Sequence, residues 1–256
     1  MKKLLILCLV LFVISAVSAD ITTGLRAWWK MDQSEGSTVI DSSGNGFDGI
    51  KHSSLQWQDG SLYFPGNNWT TQVNFDSVAS DLFSTVDDEV SFSFWVKSAA
   101  ESGSDTGYLY KSNVLGEGTA NSGRILCEYP SFNAGWWHMG RGDKLVNYGG
   151  YMDFINDWTH WAITKNTNTG MIKLYKNGEL TQESGNKTQS MAGINSFTLG
   201  TGNYRWFEGS MKDFRIYDRE LSASDVAEIV PEPLTLAFLG LGGLGLINKR
   251  KNIKEW

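Results

Sequence analysis

The chain has 256 residues and a formal charge of −6, with 28 Asp and Glu residues against 22 Lys and Arg. An acidic chain of this kind repels nucleic acid and anionic lipid, so neither is expected as a partner. Divalent cations and neutral sugars are compatible with its charge. The length fits one all-β domain of about 210 residues between two terminal segments.

The first 19 residues predict a signal peptide. Lys2 and Lys3 precede an apolar run over residues 4–13, and small residues follow it up to Ala19. The run is too short to span a bilayer, and the order of the three parts is the one that signal peptidase recognises. We therefore expect an N-terminal signal helix that is removed after Ala19 on export. Cys127 is then the remaining cysteine, so no intramolecular disulfide is expected.

Residues 20–229 predict an all-β body. Short segments alternate apolar and polar residues with the period of two that half-buried strands have. Asn177-Gly178 predicts a hairpin turn, because both central residues of the favoured turn need a positive φ. One helix is expected over residues 222–229, capped by Ser222 with Asp225 three positions on. The predicted strands cover residues 25–31, 61–64, 90–97, 108–110, 124–128, 158–164, 171–175, 196–199 and 211–217.

Seven motifs within this body follow one another in an order that resembles the LamG-like family. Because the motifs occur in order across nearly the whole body, the resemblance is specific. It implies a concanavalin A-like antiparallel β-sandwich, or jelly roll. It also implies an extracellular module that binds carbohydrate or contributes to an exopolysaccharide matrix. His160, in the Trp158-Thr159-His160 motif, is expected to make a structural hydrogen bond. The motifs lie at residues 24–32, 41–49, 62–66, 90–97, 158–164, 174–178 and 209–222.

Residues 230–256 predict a sorting tail. Pro231, Glu232 and Pro233 precede an apolar run over residues 234–247 and a basic cluster. This arrangement resembles the PEP-CTERM signal that exosortases process. About 14 helical residues reach ~21 Å, which is shorter than the hydrocarbon core and suits a short C-terminal hydrophobic helix as a temporary anchor. The resemblance implies a protein held transiently in the inner membrane and then placed outside, or on the surface of, a Gram-negative-type bacterium.

Four residues are candidate calcium ligands: Asp32, Asn45, Asp48 and Asp213. If the first and last strands pair antiparallel, the end of one faces the start of the other, and Asp32 approaches Asp213. The loop over residues 41–49 would then add Asn45, Asp48 and backbone carbonyls, which are the mixed oxygen ligands that calcium prefers. The resemblance implies a calcium at this place in many members of the family. The alternative is that these residues form turns and hold no ion.

Trp136 and Trp137 are candidate sugar-binding residues, together with Tyr148 and Tyr151. Adjacent residues on a strand face opposite ways, so one of the two indoles is expected to be exposed unless a loop covers it. An exposed indole flanked by polar groups can stack on a sugar ring. The alternative is packing of these rings between the sheet and a long loop. Other strand aromatics are assigned to the core: Trp29, Phe92, Phe94 and Trp161.

The sequence also bears on catalysis. Retaining glycosidases need two carboxylates about 5 Å apart, which on a strand requires acids at alternate positions. No predicted strand carries such a pair. The sequence therefore predicts a protein that is not an enzyme, and the preferred interpretation is an exported module that binds polysaccharide. A structural or adhesion scaffold is the first alternative, and a polysaccharide hydrolase is the second.

Overall fold

The computed structural model describes residues 20–66, 71–98, 107–113, 125–131, 134–140, 142–148, 157–202 and 205–230. The signal peptide and the residues of the sorting tail from Pro231 onward lie outside these ranges. Within them, no helix combines the length and the apolar character that crossing a membrane requires.

The first sheet has eight antiparallel strands. They are β1 (Leu25–Trp29), β4 (Gln56–Gln58), β5 (Ser61–Pro65), β7 (Glu89–Ser98), β12 (Thr159–Asn166), β13 (Met171–Lys176), β14 (Glu179–Ser184) and β18 (Glu208–Tyr217). Their spatial order is β14-β13-β12-β7-β18-β5-β4, and β1 also pairs with β18. β1 and β5 share one edge of β18, because β5 pairs with its first half and β1 with its second half.

The second sheet also has eight antiparallel strands. They are β2 (Thr38–Val39), β3 (Gly49–Lys51), β6 (Val73–Asn74), β8 (Gly107–Asn113), β9 (Ile125–Ser131), β10 (Ala134–Met139), β11 (Lys144–Tyr148) and β15 (Ser196–Leu199). Their order is β11-β10-β9-β8-β15-β6-β3-β2, and a small separate sheet pairs β16 (Thr201–Gly202) with β17 (Arg205–Trp206). The predicted concanavalin A-like all-β sandwich is confirmed.

Local sequence signals explain the turn and the helix that were predicted. Asn177 and Gly178 have φ values of 50° and 89° and join β13 to β14 as the expected hairpin turn. Helix α2 (Ala223–Ile229) starts at the expected cap, where Ser222 and Asp225 form a reciprocal capping box. Helix α1 (Asp76–Leu82) was not predicted, because it is as short as α2 but its N-cap is Phe75, whose side chain makes no capping hydrogen bond that would mark its start.

The core lies between the two sheets and is rich in aromatic rings. Phe94 of β7 stacks on Phe214 of β18 with 5.1 Å between ring centres. Trp161 of β12 lies 5.6 Å from Trp137 of the second sheet, so these two rings join the sheets. The core assignment of Trp29, Phe92, Phe94 and Trp161 is confirmed, since all four side chains are buried.

One half of the outer face of the first sheet is covered by α2. The helix and its leading segment form a second apolar cluster against the sheet, separate from the core between the sheets. Its buried members are Ala162, Tyr175, Tyr217, Leu221, Val226 and Ile229. The other half of this outer face bears the partly exposed side chains that form the candidate site.

Candidate functional site

The loop over residues 41–49 uses its carboxylates to hold its own backbone. Asp41 accepts hydrogen bonds from the backbone N–H groups of Trp28 at 2.9 Å, Ser43 at 2.9 Å and Phe47 at 3.0 Å. Asp48 accepts a hydrogen bond of 2.7 Å from the backbone N–H of Asp41. The loop is therefore closed by side chain to backbone hydrogen bonds of the kind that turn-forming Asp residues make.

The other predicted calcium ligands either form hydrogen bonds within the protein or are exposed to solvent. The Asn45 amide donates to the carbonyls of Leu25 and Arg26, and Asp32 is exposed. Asp213 accepts two hydrogen bonds of 3.1 Å from the Arg215 guanidinium, and another from the Trp28 indole N–H. The predicted pairing of the first and last strands is confirmed, and the backbone N–H of Asp213 donates to the Lys30 carbonyl at 3.0 Å.

These contacts do not fit the predicted calcium site. Arg215 supplies at Asp213 the positive charge that a calcium ion would have supplied, and the backbone N–H of Asp41 donates to the Asp48 carboxylate. Among the described residues, no three His, Cys, Asp or Glu side chains are grouped closely enough to hold a metal. The assignment of Asp32, Asn45, Asp48 and Asp213 as one metal site is therefore corrected to turn and ion-pair chemistry.

The predicted tryptophan pair lies on β10. Trp137 is completely buried and packs against Trp161 and Phe94, so its predicted role in binding sugar is corrected to core packing. Trp136 pairs with Glu128 and Val146 in the backbone register, and Tyr148 pairs with Ala134. The structure describes only the backbone at Trp136 and Tyr148, and Tyr151 lies outside the described residues, so their assignment stays a prediction.

A different set of aromatic residues lies on the open half of the outer face of the first sheet. Residues that pair across neighbouring strands share a face. Trp95 of β7 pairs with Lys212 of β18, while Ser210 of β18 pairs with both Lys97 and Tyr63. Trp28 of β1 pairs with Arg215 on the same face. We call this surface the indole face, and its residues are Trp28, Tyr63, Trp95, Lys97, Trp158 and Lys212, all partly exposed.

Cations lie over two of the indole rings. The Nζ atoms of Lys212 and Lys97 lie 4.3 Å and 5.5 Å from the centre of the Trp158 ring. The Arg215 guanidinium lies 4.5 Å and the Lys30 Nζ 4.6 Å from the centre of the Trp28 ring. Each ring is attracted to these positive groups through its quadrupole, and their long side chains cover part of its surface.

A β-bulge at Asp213 produces this arrangement. Lys212 and Arg215 are three residues apart, so a regular strand would place them on opposite faces. The register between β7 and β18 shifts between these two residues, and Asp213 adopts a φ of 53°. The extra residue brings Lys212 and Arg215 to the same face, which strict alternation could not have predicted.

His160 supports the indole face from its buried side. Its Nε2 atom lies 2.8 Å from the Ser93 hydroxyl, and its ring meets Trp95 edge-on at 5.3 Å between ring centres. The structural hydrogen bond predicted for His160 is confirmed. Burial, and then the positive charge of Arg215, lowers the pKa of His160 from its usual 6.5 to about 3, so the ring is neutral at pH 7.

Two ammonium groups, those of Lys97 and Lys212, lie near the centre of the indole face. In the part of the chain that the structure describes, neither Lys97 nor Lys212 forms an ion pair with a carboxylate. The nearby Asp213 carboxylate is already paired with Arg215. Glu208 lies toward the far side near Tyr63, where burial, and then Glu208, raises the pKa of the Tyr63 hydroxyl. A face of aromatic rings and unpaired ammonium groups can stack on a flat ring and accept an anionic group.

Comparison with known proteins supports the fold independently. Residues 70–227 match the family model described as the concanavalin A-like lectin/glucanases superfamily. A Trypanosoma rangeli sialidase in complex with sialic acid matches with a TM-score of 0.62 and 16% identity, over 81% of this chain and 33% of the sialidase. The botulinum neurotoxin serotype D ligand binding domain, in complex with N-acetylneuraminic acid, matches with a TM-score of 0.63 and 18% identity, over 82% and 52%. No curated protein matches the chain.

The match to sialidases corrects the expectation about catalysis. The sequence predicted a protein that is not an enzyme, but the fold recurs in chains of Trypanosoma rangeli sialidase, which are enzymes. The absence of an acid pair on one strand addresses only one type of glycosidase active site, so it does not exclude an enzyme. The chain spans about a third of the sialidase chains and about half of the neurotoxin binding domains that it matches.

Proposed function

The chain belongs to the concanavalin A-like lectin/glucanases superfamily, and from this premise we propose that it binds carbohydrate through the indole face. The observation that carries the proposal is the partly exposed Trp158 ring, which lies beside Lys97 and Lys212 on an open sheet surface. A neurotoxin binding domain and a sialidase of the same fold, each in complex with a sialic acid, support the ligand class.

The arrangement of the strands gives the indole face the dimensions of an oligosaccharide site. Trp158 directly precedes β12, Lys97 lies on β7, Ser210 on β18 and Tyr63 on β5. These four neighbouring strands extend over about 14 Å at their usual spacing, which is long enough for several sugar rings. Indole and phenol rings at the two ends offer apolar surfaces to the C–H faces of sugars, and the polar side chains between them offer hydrogen bonds.

Export is part of the proposal. The segment over residues 1–19 and the tail with Pro231, Glu232 and Pro233 support delivery by signal peptidase and an exosortase-like enzyme. The protein would then meet polysaccharide outside the cell or at its surface. Mass spectrometry of the protein from its host should find both terminal segments removed, and an extracellular form that retains residues 234–256 would contradict the sorting step.

The binding site is tested by affinity electrophoresis of the full chain in gels that contain candidate polysaccharides. Trp158→Ala should weaken the retardation at least about tenfold in apparent Kd, because it removes one of the aromatic rings on which the sugar is proposed to stack. Leu180→Ala is a matched control, since Leu180 is an exposed apolar residue on β14 at the far edge of the same sheet. Its affinity should equal that of the wild type.

A third variant separates the two candidate surfaces. Trp136→Ala changes the residue that the sequence predicted to bind sugar, and it should leave the affinity unchanged if ligand lies on the indole face. Loss of binding in Trp136→Ala with full binding in Trp158→Ala would place the site on the second sheet. A wild-type protein with no retardation on any polysaccharide would favour the scaffold alternative.

A further inference from the structure

We propose that the indole face selects sugars that carry a carboxylate, with Lys97 and Lys212 as the residues that recognise it. This inference rests on the proposed function and names the class of ligand. The shared chemistry is a pyranose ring with an attached carboxylate, which occurs both in uronic acids and in sialic acids.

The first observation is the convergence of two ammonium groups on one ring. Lys97 and Lys212 approach Trp158 to 5.5 Å and 4.3 Å from neighbouring strands. Two like charges near one ring repel each other, and no described carboxylate forms an ion pair with either of them. An anion bound beside the ring would be attracted to both ammonium groups, so this arrangement favours a negative ligand.

The second observation is that, among the described residues, no carboxylate forms an ion pair with Lys97 or Lys212. Asp213 is the next residue after Lys212, but its carboxylate is held by Arg215 and by the indole N–H of Trp28. It therefore faces a guanidinium and does not neutralise the Lys97 and Lys212 pair. The bulge at Asp213 thus lies between the Asp213–Arg215 ion pair and the ammonium groups of Lys97 and Lys212, all on the same face.

The geometry favours a sugar acid over other anions. A ligand that stacks on the exposed part of the Trp158 ring brings its substituents beside the two Nζ atoms, where each ammonium can donate hydrogen bonds. Charge-assisted hydrogen bonds to a carboxylate are stronger than those to a neutral hydroxyl. The chain as a whole has a charge of −6. A polyanion that has no ring to stack on Trp158 is therefore not attracted to the protein over long distances and is expected to bind weakly.

Matched probes test the inference on the full chain. Hydroxyethyl cellulose and carboxymethyl cellulose share a backbone and differ in the carboxylate, and lactose and sialyllactose differ by one sialic acid. We expect the acidic member of at least one pair to bind at least about tenfold more tightly, as one or two charge-assisted hydrogen bonds imply. The cellulose pair tests a polymer with acidic groups and the lactose pair tests sialic acid, so the two arms distinguish the source.

Substitutions then locate the preference. Lys97→Gln and Lys212→Gln should each reduce the ratio of acidic to neutral probe affinity several-fold, and the double variant should abolish this preference. Lys51→Gln is the matched control, because Lys51 also lies over an indole, 5.8 Å from the ring centre of Trp57, but on β3 outside the indole face. It should keep the full preference.

The outcomes separate this inference from the proposed function. Equal affinity for both members of each pair, with Trp158→Ala still weakening both, would overturn the selectivity and leave carbohydrate binding intact. An equal loss of acidic preference in Lys51→Gln would also overturn it, since net charge would then be the cause. If no probe or other polysaccharide shows binding that depends on Trp158, the proposed function fails and this inference fails with it.

Discussion

The two faces of the first sheet use aromatic residues in opposite ways. On the inner face, Phe94 and Trp161 are fully buried and pack against other rings. On the outer face, Trp95 lies one residue after Phe94 and Trp158 lies three residues before Trp161, yet both are partly exposed. Their neighbours are His160, Lys97 and Lys212 instead of other Phe and Trp rings.

This contrast shows that the residues around an aromatic side chain, more than the type of the side chain, decide whether it lies in the core or at the surface. Inside the sandwich each ring contributes the free energy of removing a large apolar surface from water. On the outer face the rings remain partly exposed, and cation–π attraction to the lysine and arginine groups over them limits their motion. A ring that is held in place but still accessible loses less freedom when a ligand stacks on it.

The largest expected effect comes from removing a ring on the inner face. Trp161→Ala should lower the free energy of unfolding by about 3–5 kcal/mol, because it removes a buried indole and leaves a cavity between the sheets. Trp158→Ala should change it by only about 0.5 kcal/mol, as is usual for surface positions. Urea unfolding followed by far-UV circular dichroism measures both. Equal losses would show that Trp158 belongs to the core and would remove the basis of the indole face.

Much of the sandwich could be predicted because strands, turns and caps are local. Period-two alternation located the strands that pair at the centre of the first sheet, and Asn177-Gly178 and Ser222 marked a turn and a cap through their own backbone preferences. Short elements were missed. Two-residue strands such as β2 and β6 contain too few residues for a period, and they exist because neighbouring strands pair with them.

The candidate site could be predicted only in part, because it depends on which way a side chain faces. The sequence indicated that Trp136 and Trp137 face opposite ways but not that Trp137 is the inward one. It placed Asp213 correctly beside the first strand, but the bulge there was not visible in the alternation. Arg215 was not considered as the partner of Asp213, although its position two residues away is a signal that could have been used.

The next effect is a pH dependence of stability. It arises from His160, which lies between the half of the outer face that α2 covers and the indole face. The pKa of His160 falls to about 3 in the folded protein, so below its usual value of 6.5 the unfolded chain binds a proton that the folded chain does not. Stability from this residue is therefore complete above pH 6.5 and is lost as the pH falls. The loss is about 1.4 kcal/mol per pH unit, or about 2 kcal/mol by pH 5.

Unfolding of a His160→Gln variant measures this contribution. The variant should be less stable at pH 7 but should lose less stability between pH 6.5 and 5 than the wild type. Burial also lowers the pKa of His138, with Lys144 as the second cause, so part of the slope should persist. His52→Gln serves as a control at an exposed position. An unchanged slope in His160→Gln would show that His160 is accessible to protons and that the boundary is open to water.

The smallest expected effect concerns Asp213, whose carboxylate forms an ion pair with Arg215 on the outer face. Because Arg215 forms an ion pair with the Asp213 carboxylate, EDTA should leave the melting temperature unchanged, and added calcium should not raise it. An ion bound at these residues would stabilise the fold by about 2.7 kcal/mol at a hundredfold excess over its Kd, which is a shift of several degrees for a domain of this size. Asp213→Asn should lower stability by about 1 kcal/mol, because it weakens a partly buried ion pair while Asn tolerates the positive φ. The loss should be the same with EDTA and with calcium. A loss that depends on calcium would support the sequence prediction of a calcium site. It would mean that the Asp213 carboxylate breaks its ion pair with Arg215 and binds calcium instead.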